Sequence, residues 1–307
     1  MRKKILLGLG TLVAALVILY FFFPGKMFTV LAALERGSAG VKLRHIDAGG
    51  WPTPYLEGGQ GETVLLIHGF GGDKDNFTRF AKYLTSKYHV ISPDLPGFGE
   101  NARRENTGYS YSEQLPRIVA FLDALKVGRF HVAGNSMGGH LAGLLAAKLG
   151  DRVISATLID NAGFHEPNLS EREKLMQKGV NALLVNGTDD FDRLMGFIFV
   201  KKPFIPGPLK QYFAARAVEN RAFNERVFRD ISPERYLLES RFAGIKSPVL
   251  VIWGDTDRVI DVSSTETMKK IKPDIQVKIM KDMGHSPMLE RPEETAKLML
   301  DFMAQGK

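Results

Sequence analysis

Short, almost wholly apolar runs alternate with amphipathic stretches along most of this chain. TVLLIHG, HVISPDL, FHVAGNS, ISATLID, PVLVIWG and IQVKIMK are rich in β-branched residues and read as buried strands. Between them, NFTRFAKYLTSK, SYSEQLPRIVAFLDALKV and GGHLAGLLAAKLG carry apolar residues at helical spacing. Strands apolar on both faces, alternating with helices, predict an α/β fold with a mostly parallel central sheet flanked by helices. The alternation stops between about Gly163 and Lys246. There SEREKLMQKGVNALLVN, DDFDRLMGFIFV and LKQYFAARAVENRAFNERVF have helical patterns without a good strand. This stretch reads as a helical insertion over the carboxyl ends of the strands, a cap above a site.

A different pattern opens the chain. Ile5 to Phe23 is free of charge, close to the roughly 20 apolar residues that a helix needs to cross a bilayer. A cleaved signal peptide has an apolar part of only about 7–15 residues and a small-x-small site close behind it. Here the nearest such site, Gly37-Ser38-Ala39, lies far downstream. An N-terminal transmembrane helix that stays in place is therefore expected. Pro24 should kink or end it, and MFTVLAAL reads as an amphipathic continuation at the lipid surface. Gly10 and Ala14 form a small-xxx-small pair that would let two anchors meet in a homodimer. Arg2, Lys3 and Lys4 form a compact basic cluster before the span, while Lys26, Arg36 and Lys42 are spread out behind it. That asymmetry predicts a single-pass protein whose folded body faces outward. The expected organisation is 1–38 as anchor and juxtamembrane segment, 39–162 and 247–307 as two parts of one core, and 163–246 as the cap.

Composition changes this picture little. The 307 residues are 44% hydrophobic and 24% charged, ordinary values for a globular protein. There is no cysteine, which excludes disulfides and thiolate chemistry. Of the net charge of +7, +5 falls within residues 1–50. The basic excess therefore belongs to the membrane-proximal end and does not point to nucleic acid.

The candidate chemistry begins at HVAGNSMGGH, residues 131–140, where a strand passes into a helix. In so tight a turn the central Ser136 must be strained, and its neighbours at two residues' distance, Gly134 and Gly138, must be tiny. A plain helix N-cap would not need both glycines. Ser136 is thus a candidate nucleophile, which needs a base and an acid to orient that base. His285, in DMGHSPMLERPEE, lies in a loop after the last strand and is the candidate base. Three acids remain open on spacing alone: Asp255 and Asp257 in VIWGDTDRVI, and Asp160 closing ISATLID. Two backbone N–H groups should bind the oxyanion, from Met137 after the nucleophile and from Phe70 in HGFGG. No G-K-[ST] follows those glycines, so a phosphate loop is disfavoured. No pair of residues has metal-ligand spacing.

Read together and in order, HGFGG, DLPGFG, GNSMGG, WGDTDRVIDVSS and GHSPMLERPEETAKL resemble the α/β-hydrolases over residues 41 to 304. The N-terminal span and the cap resemble most the membrane-anchored monoacylglycerol lipase and bacterial inner-membrane phospholipase A branch. The resemblance implies Ser136, Asp257 and His285 as the catalytic residues, choosing Asp257 over Asp255. It further implies cofactor-free hydrolysis of acyl glycerolipids with release of a fatty acid, by a body facing the periplasm. Phe191, Leu194, Phe197, Ile198, Phe199, Phe204 and Ile205 in the cap are expected to favour long acyl chains, although plain cap packing would require the same residues. The competing expectations are a small-ester carboxylesterase or carbon–carbon bond hydrolase of the same fold, and a binding protein without chemistry.

Overall fold

The computed structural model describes residues 16–305. Most of the Ile5–Phe23 run lies outside the described residues, as do Gly10, Ala14 and the first basic cluster. Among the described residues no helix is long and apolar enough to cross a membrane.

One eight-stranded sheet organises the molecule, in the order β1-β2-β4-β3-β5-β6-β7-β8. The strands are β1 (Val41–Asp47), β2 (Pro52–Gly58), β3 (Thr63–Ile67), β4 (His89–Pro93), β5 (Phe130–Asn135), β6 (Val153–Ile159), β7 (Val249–Gly254) and β8 (Gln276–Met280). From β4 to β8 every pairing is parallel, while β2 runs antiparallel to both β1 and β4. The six strands expected from apolar runs are β3 to β8. The hairpin β1–β2 was not anticipated, for a physical reason. β1 is an edge strand that keeps Lys42, Arg44 and His45 toward solvent, and Pro52 and Pro54 interrupt β2.

The central strands are apolar on both faces because both faces are covered. Val64 and Leu66 join one buried cluster with Phe77, Phe80 and Leu84, and Leu65 and Ile67 join the other with Phe130, Leu141 and Trp253. The two-residue period of a strand sends alternate side chains to opposite cores.

Between β6 and β7 the described residues form helices Glu171–Met176, Thr188–Ile198, Gly207–Glu219, Arg221–Ile231 and Leu237–Arg241. The first is shorter than its pattern implied. Gly179 takes a left-handed φ of +77°, and the N–H groups of Gly179 and Val180 close back on the carbonyls of Met176 and Leu175. That is a glycine-capped stop.

The helix Pro24–Ser38 belongs to the body. Phe28 packs edge-on against Phe213 at 5.1 Å, and Arg36 binds both carboxylate oxygens of Asp75 at 2.6 Å. Its outward face carries Val30, Leu31 and Leu34, all exposed.

Candidate active site

Ser136 stands at the end of β5, at the start of helix Met137–Leu149, with φ +56° and ψ −119°. A non-glycine residue rarely holds such a φ, so the surrounding structure must enforce it. Three backbone bonds do: Ser136 N–H donates to Ile159, and its carbonyl accepts from His140 and Ala162. The flanking glycines are needed because the turn leaves no room for a side chain. A Cβ at Gly134 would lie 2.1 Å from the Gly138 carbonyl oxygen, and one at Gly138 would lie 2.2 Å from that of Ile67.

The HGFGG loop runs beside this turn. A Cβ on Gly69 would come within 3.3 Å of the Ser136 Cβ, and Phe70, Ser136 and Met137 line one cavity. Met137 is the first helical residue, so its N–H is one that the helix leaves without an internal acceptor. His68 shapes the loop. Its Nε2 accepts from Leu95 N–H, which puts the proton on Nδ1, and Nδ1 donates to the Gly69 carbonyl. Burial pushes the His68 pKa down to about 4, so the ring is neutral. The next turn is fixed by Lys74, whose ammonium reaches Asp94 at 3.1 Å and Glu100 at 3.0 Å. Burial alone would lower the Lys74 pKa, but the charges of Asp94, Asp75 and Asp73 raise it above the usual value.

His285 Nδ1 donates to Asp257 Oδ2 at 2.7 Å, and both residues are buried. Asp257 Oδ1 accepts from the N–H groups of Val259 and Ile260 at 2.7 and 3.1 Å. Asp255 points elsewhere: it is exposed and accepts from the Thr256 hydroxyl. Geometry therefore pairs Asp257, and not Asp255, with His285. Asn135, the residue before Ser136, donates from its side chain to the His285 carbonyl at 2.9 Å and holds the two loops together. The His285 N–H in turn donates to the Ile198 carbonyl at 2.7 Å, a bond from the base loop to the cap.

Asp160 is fully buried beside the pair, and one ligand atom from each of Asp160, Asp257 and His285 lies within 4.8 Å of the others. Asp160 Oδ1 accepts from Gly254 N–H at 2.9 Å. Burial, reinforced by the charge of Asp257, raises the Asp160 pKa well above the carboxylate range. Burial thus biases the Asp160 carboxyl toward its neutral form.

The cavity wall differs from the expectation. Its apolar part comes from Phe70, Tyr111, Phe164, Met176, Leu183, Phe228, Ile231, Val259 and Ile260. Phe191, Leu194 and Ile205 pack with one another in a small cap cluster, and Phe197 packs into the main core. Phe204 is 91% exposed. None of these residues lines the cavity, and except for Phe204 plain packing accounts for them. Glu166, Arg172 and Arg235 put charge on the same wall, which sequence reasoning missed. Their neighbours in the chain are polar and offered no signal.

The profile of the alpha/beta hydrolase family matches residues 64–298. Lipase 1 of Psychrobacter immobilis is 37% identical over 85% of this chain and 84% of its own length. Monoacylglycerol lipase ABHD6 of Homo sapiens is 28% identical over 96% and 93% of the two chains. A crystal structure of a membrane phospholipase A, described as a bacterial virulence factor, superposes with a TM-score of 0.91. It is 42% identical and covers 99% of each chain.

Proposed function

Because this chain belongs to the α/β-hydrolase family and is a carboxylic ester hydrolase of the lipase type, we propose that it is a membrane-anchored serine enzyme releasing fatty acids from glycerophospholipids or monoacylglycerols. The observations that carry the mechanism are the His285–Asp257 bond and a strained Ser136 whose neighbour Asn135 is bonded to the His285 carbonyl. Ser136 Oγ attacks the ester carbonyl carbon as His285 Nε2 takes its proton. Asp257 keeps the proton of His285 on Nδ1 and stabilises the imidazolium that forms. The N–H groups of Phe70 and Met137 bind the developing oxyanion. His285 then protonates the departing alcohol, leaving an acyl group on Ser136. Water, deprotonated by the same imidazole, releases the fatty acid and restores the serine.

The anchor reading rests on Ile5–Phe23, on the exposed Leu16, Val17, Ile18, Phe21, Phe22 and Phe23 in the stretch that leads into the body, and on the membrane phospholipase A likeness. The span would leave the body outside the inner membrane, and Gly10 and Ala14 would be its dimer contact. Tethering makes the encounter with lipid effectively intramolecular, so free substrate need not bind tightly. The charged wall of Glu166, Arg172 and Arg235 gives a polar head a place beside the acyl chain.

Full-length protein in phospholipid vesicles tests this reading. Fatty acid should be released by the wild type and fall by about 10⁴-fold in Ser136→Ala, with thermal unfolding unchanged. A comparison form should begin at Pro24, since the helix that follows packs on the cap. It should keep hydrolysis of a short soluble ester and lose most release from vesicles. No release by the full-length enzyme, with short-ester hydrolysis intact, would favour a small-ester carboxylesterase.

A further inference from the structure

We propose that the cap loop around Phe204 is a second membrane contact, seated in the bilayer that carries the anchor; the proposal rests on the anchored reading above. A single exposed aromatic residue is ordinary. The surroundings of this one are not. Val200, Lys201, Lys202, Pro203 and Phe204 are consecutive and all exposed, while Phe199 and Ile205 at the two ends are drawn into the cap. The loop therefore projects an apolar tip with two lysines at its base. That is the arrangement of an interfacial anchor over anionic lipid, with rings in the acyl boundary and ammonium groups at the headgroups.

Position supplies the second argument. The loop leads directly into helix Gly207–Glu219. Gly25 lies against Tyr212 of that helix, with a Cβ there coming 2.9 Å from the ring. Tyr212 is five residues past Gly207, a rise of roughly 7.5 Å. The chain therefore leaves the body toward its apolar N-terminal run beside the helix that Phe204 precedes. Phe21 and Phe22 in that run are 60% and 75% exposed, and Lys26 is exposed just after it. Two lysine-flanked aromatic segments thus share one flank of the molecule. A bilayer holding the first meets the second without any change in fold.

The loop also touches the catalytic side. The N–H groups of Val200 and Lys201 donate to the carboxylate of Glu290, and that carboxylate also accepts from Gly284, next to His285. Seating the loop would thus hold the base loop close to the membrane surface.

The test places a tryptophan at the tip. Full-length Phe204→Trp goes into vesicles of phosphatidylethanolamine and phosphatidylglycerol containing brominated acyl chains. Native Trp51 and Trp253 are buried and give a constant background. Emission from Phe204→Trp should be strongly quenched. Ile279→Trp, 46% exposed on β8 at the far edge of the sheet, should not be. In parallel, Phe204→Ser should lower fatty-acid release from vesicles roughly threefold to tenfold while short-ester hydrolysis stays constant. Equal emission with and without bromine at position 204 would overturn the proposal. So would Phe204→Ser that releases fatty acid like wild type but shifts the monomer–dimer ratio in crosslinking, since the loop would then face a second copy. Quenching at 204 in an enzyme that releases nothing would support the contact and sink the lipid-substrate reading instead.

Discussion

In the core, a methyl group added at Gly134, Gly138, Gly139 or Gly254 would come within 2.5 Å of atoms in a neighbouring segment, whereas nothing lies within 4 Å of Gly179, Gly187 or Gly207 in the cap. The difference separates two tasks. Around Ser136 the backbone itself is packed against backbone, so the reactive geometry does not depend on flexible side chains. The cap is built from helices that meet through side chains, with its own small cluster of Val185, Phe191 and Ala214. Such contacts adjust more readily. The core holds atoms still for chemistry, and the cap supplies a wall whose shape can vary.

Three measurements put that contrast at risk. The largest effect belongs to the buried acid. Asp257→Asn should lower kcat/KM for a short ester by about 10³–10⁴-fold, and Asp255→Asn should stay within about twofold of wild type. The reverse ranking would show that the 2.7 Å bond to His285 is not the working one.

Next come the glycines. Gly138→Ala should destabilise the fold by about 4 kcal/mol or more in urea unfolding, because the opposing Ile67 carbonyl belongs to a central strand and cannot retreat. Gly207→Ala in the cap should change stability by less than about 1 kcal/mol. Similar values at both sites would erase the distinction.

The third effect is spread over pH. His68 and His140 are fully buried in the core, and burial lowers their pKa values from 6.5 to about 4 and about 3. The folded state keeps both neutral, while the unfolded chain takes up protons below 6.5. Stability should therefore be lost as pH falls from 6.5 toward 4, by about 3 kcal/mol for His68 alone. Asp160 works in the opposite direction. Its raised pKa favours the folded state at low pH, and that contribution is lost as pH rises above 3.8. Asp160→Asn should accordingly gain more stability over wild type at pH 7 than at pH 4. A gain independent of pH would mean that Asp160 does not hold a proton.

Much of the core was legible in the sequence because its constraints are local. An apolar run flanked by turn residues marks each of β3 to β8, and a serine set between two glycines at a strand–helix junction marks a turn too tight for side chains on either side. The choice among Asp160, Asp255 and Asp257 was not legible from spacing, since all three follow strands that lie side by side. Only burial and the direction of the side chains separate them. The β1–β2 hairpin was missed because an edge strand carries polar residues and prolines that imitate a loop. The cavity wall was missed for another reason: the cap's apolar residues pack against one another, and the positions facing Ser136 are drawn from several separated stretches.

The bond from the His285 N–H to the Ile198 carbonyl has a consequence for traffic. Ile198 closes the cap helix Thr188–Ile198, so this corner of the cap is fastened to the proposed general base. A cap lifting away there as a rigid plate would pull the imidazole out of register at the moment of entry. A second backbone bond, from the Arg172 N–H to the Arg258 carbonyl, fastens the cap to the core at another point, so passage must lie along a border away from both. The enzyme then works less like a box with a hinged top than like a slot sewn at two points, and molecules slender enough to enter sideways have the advantage.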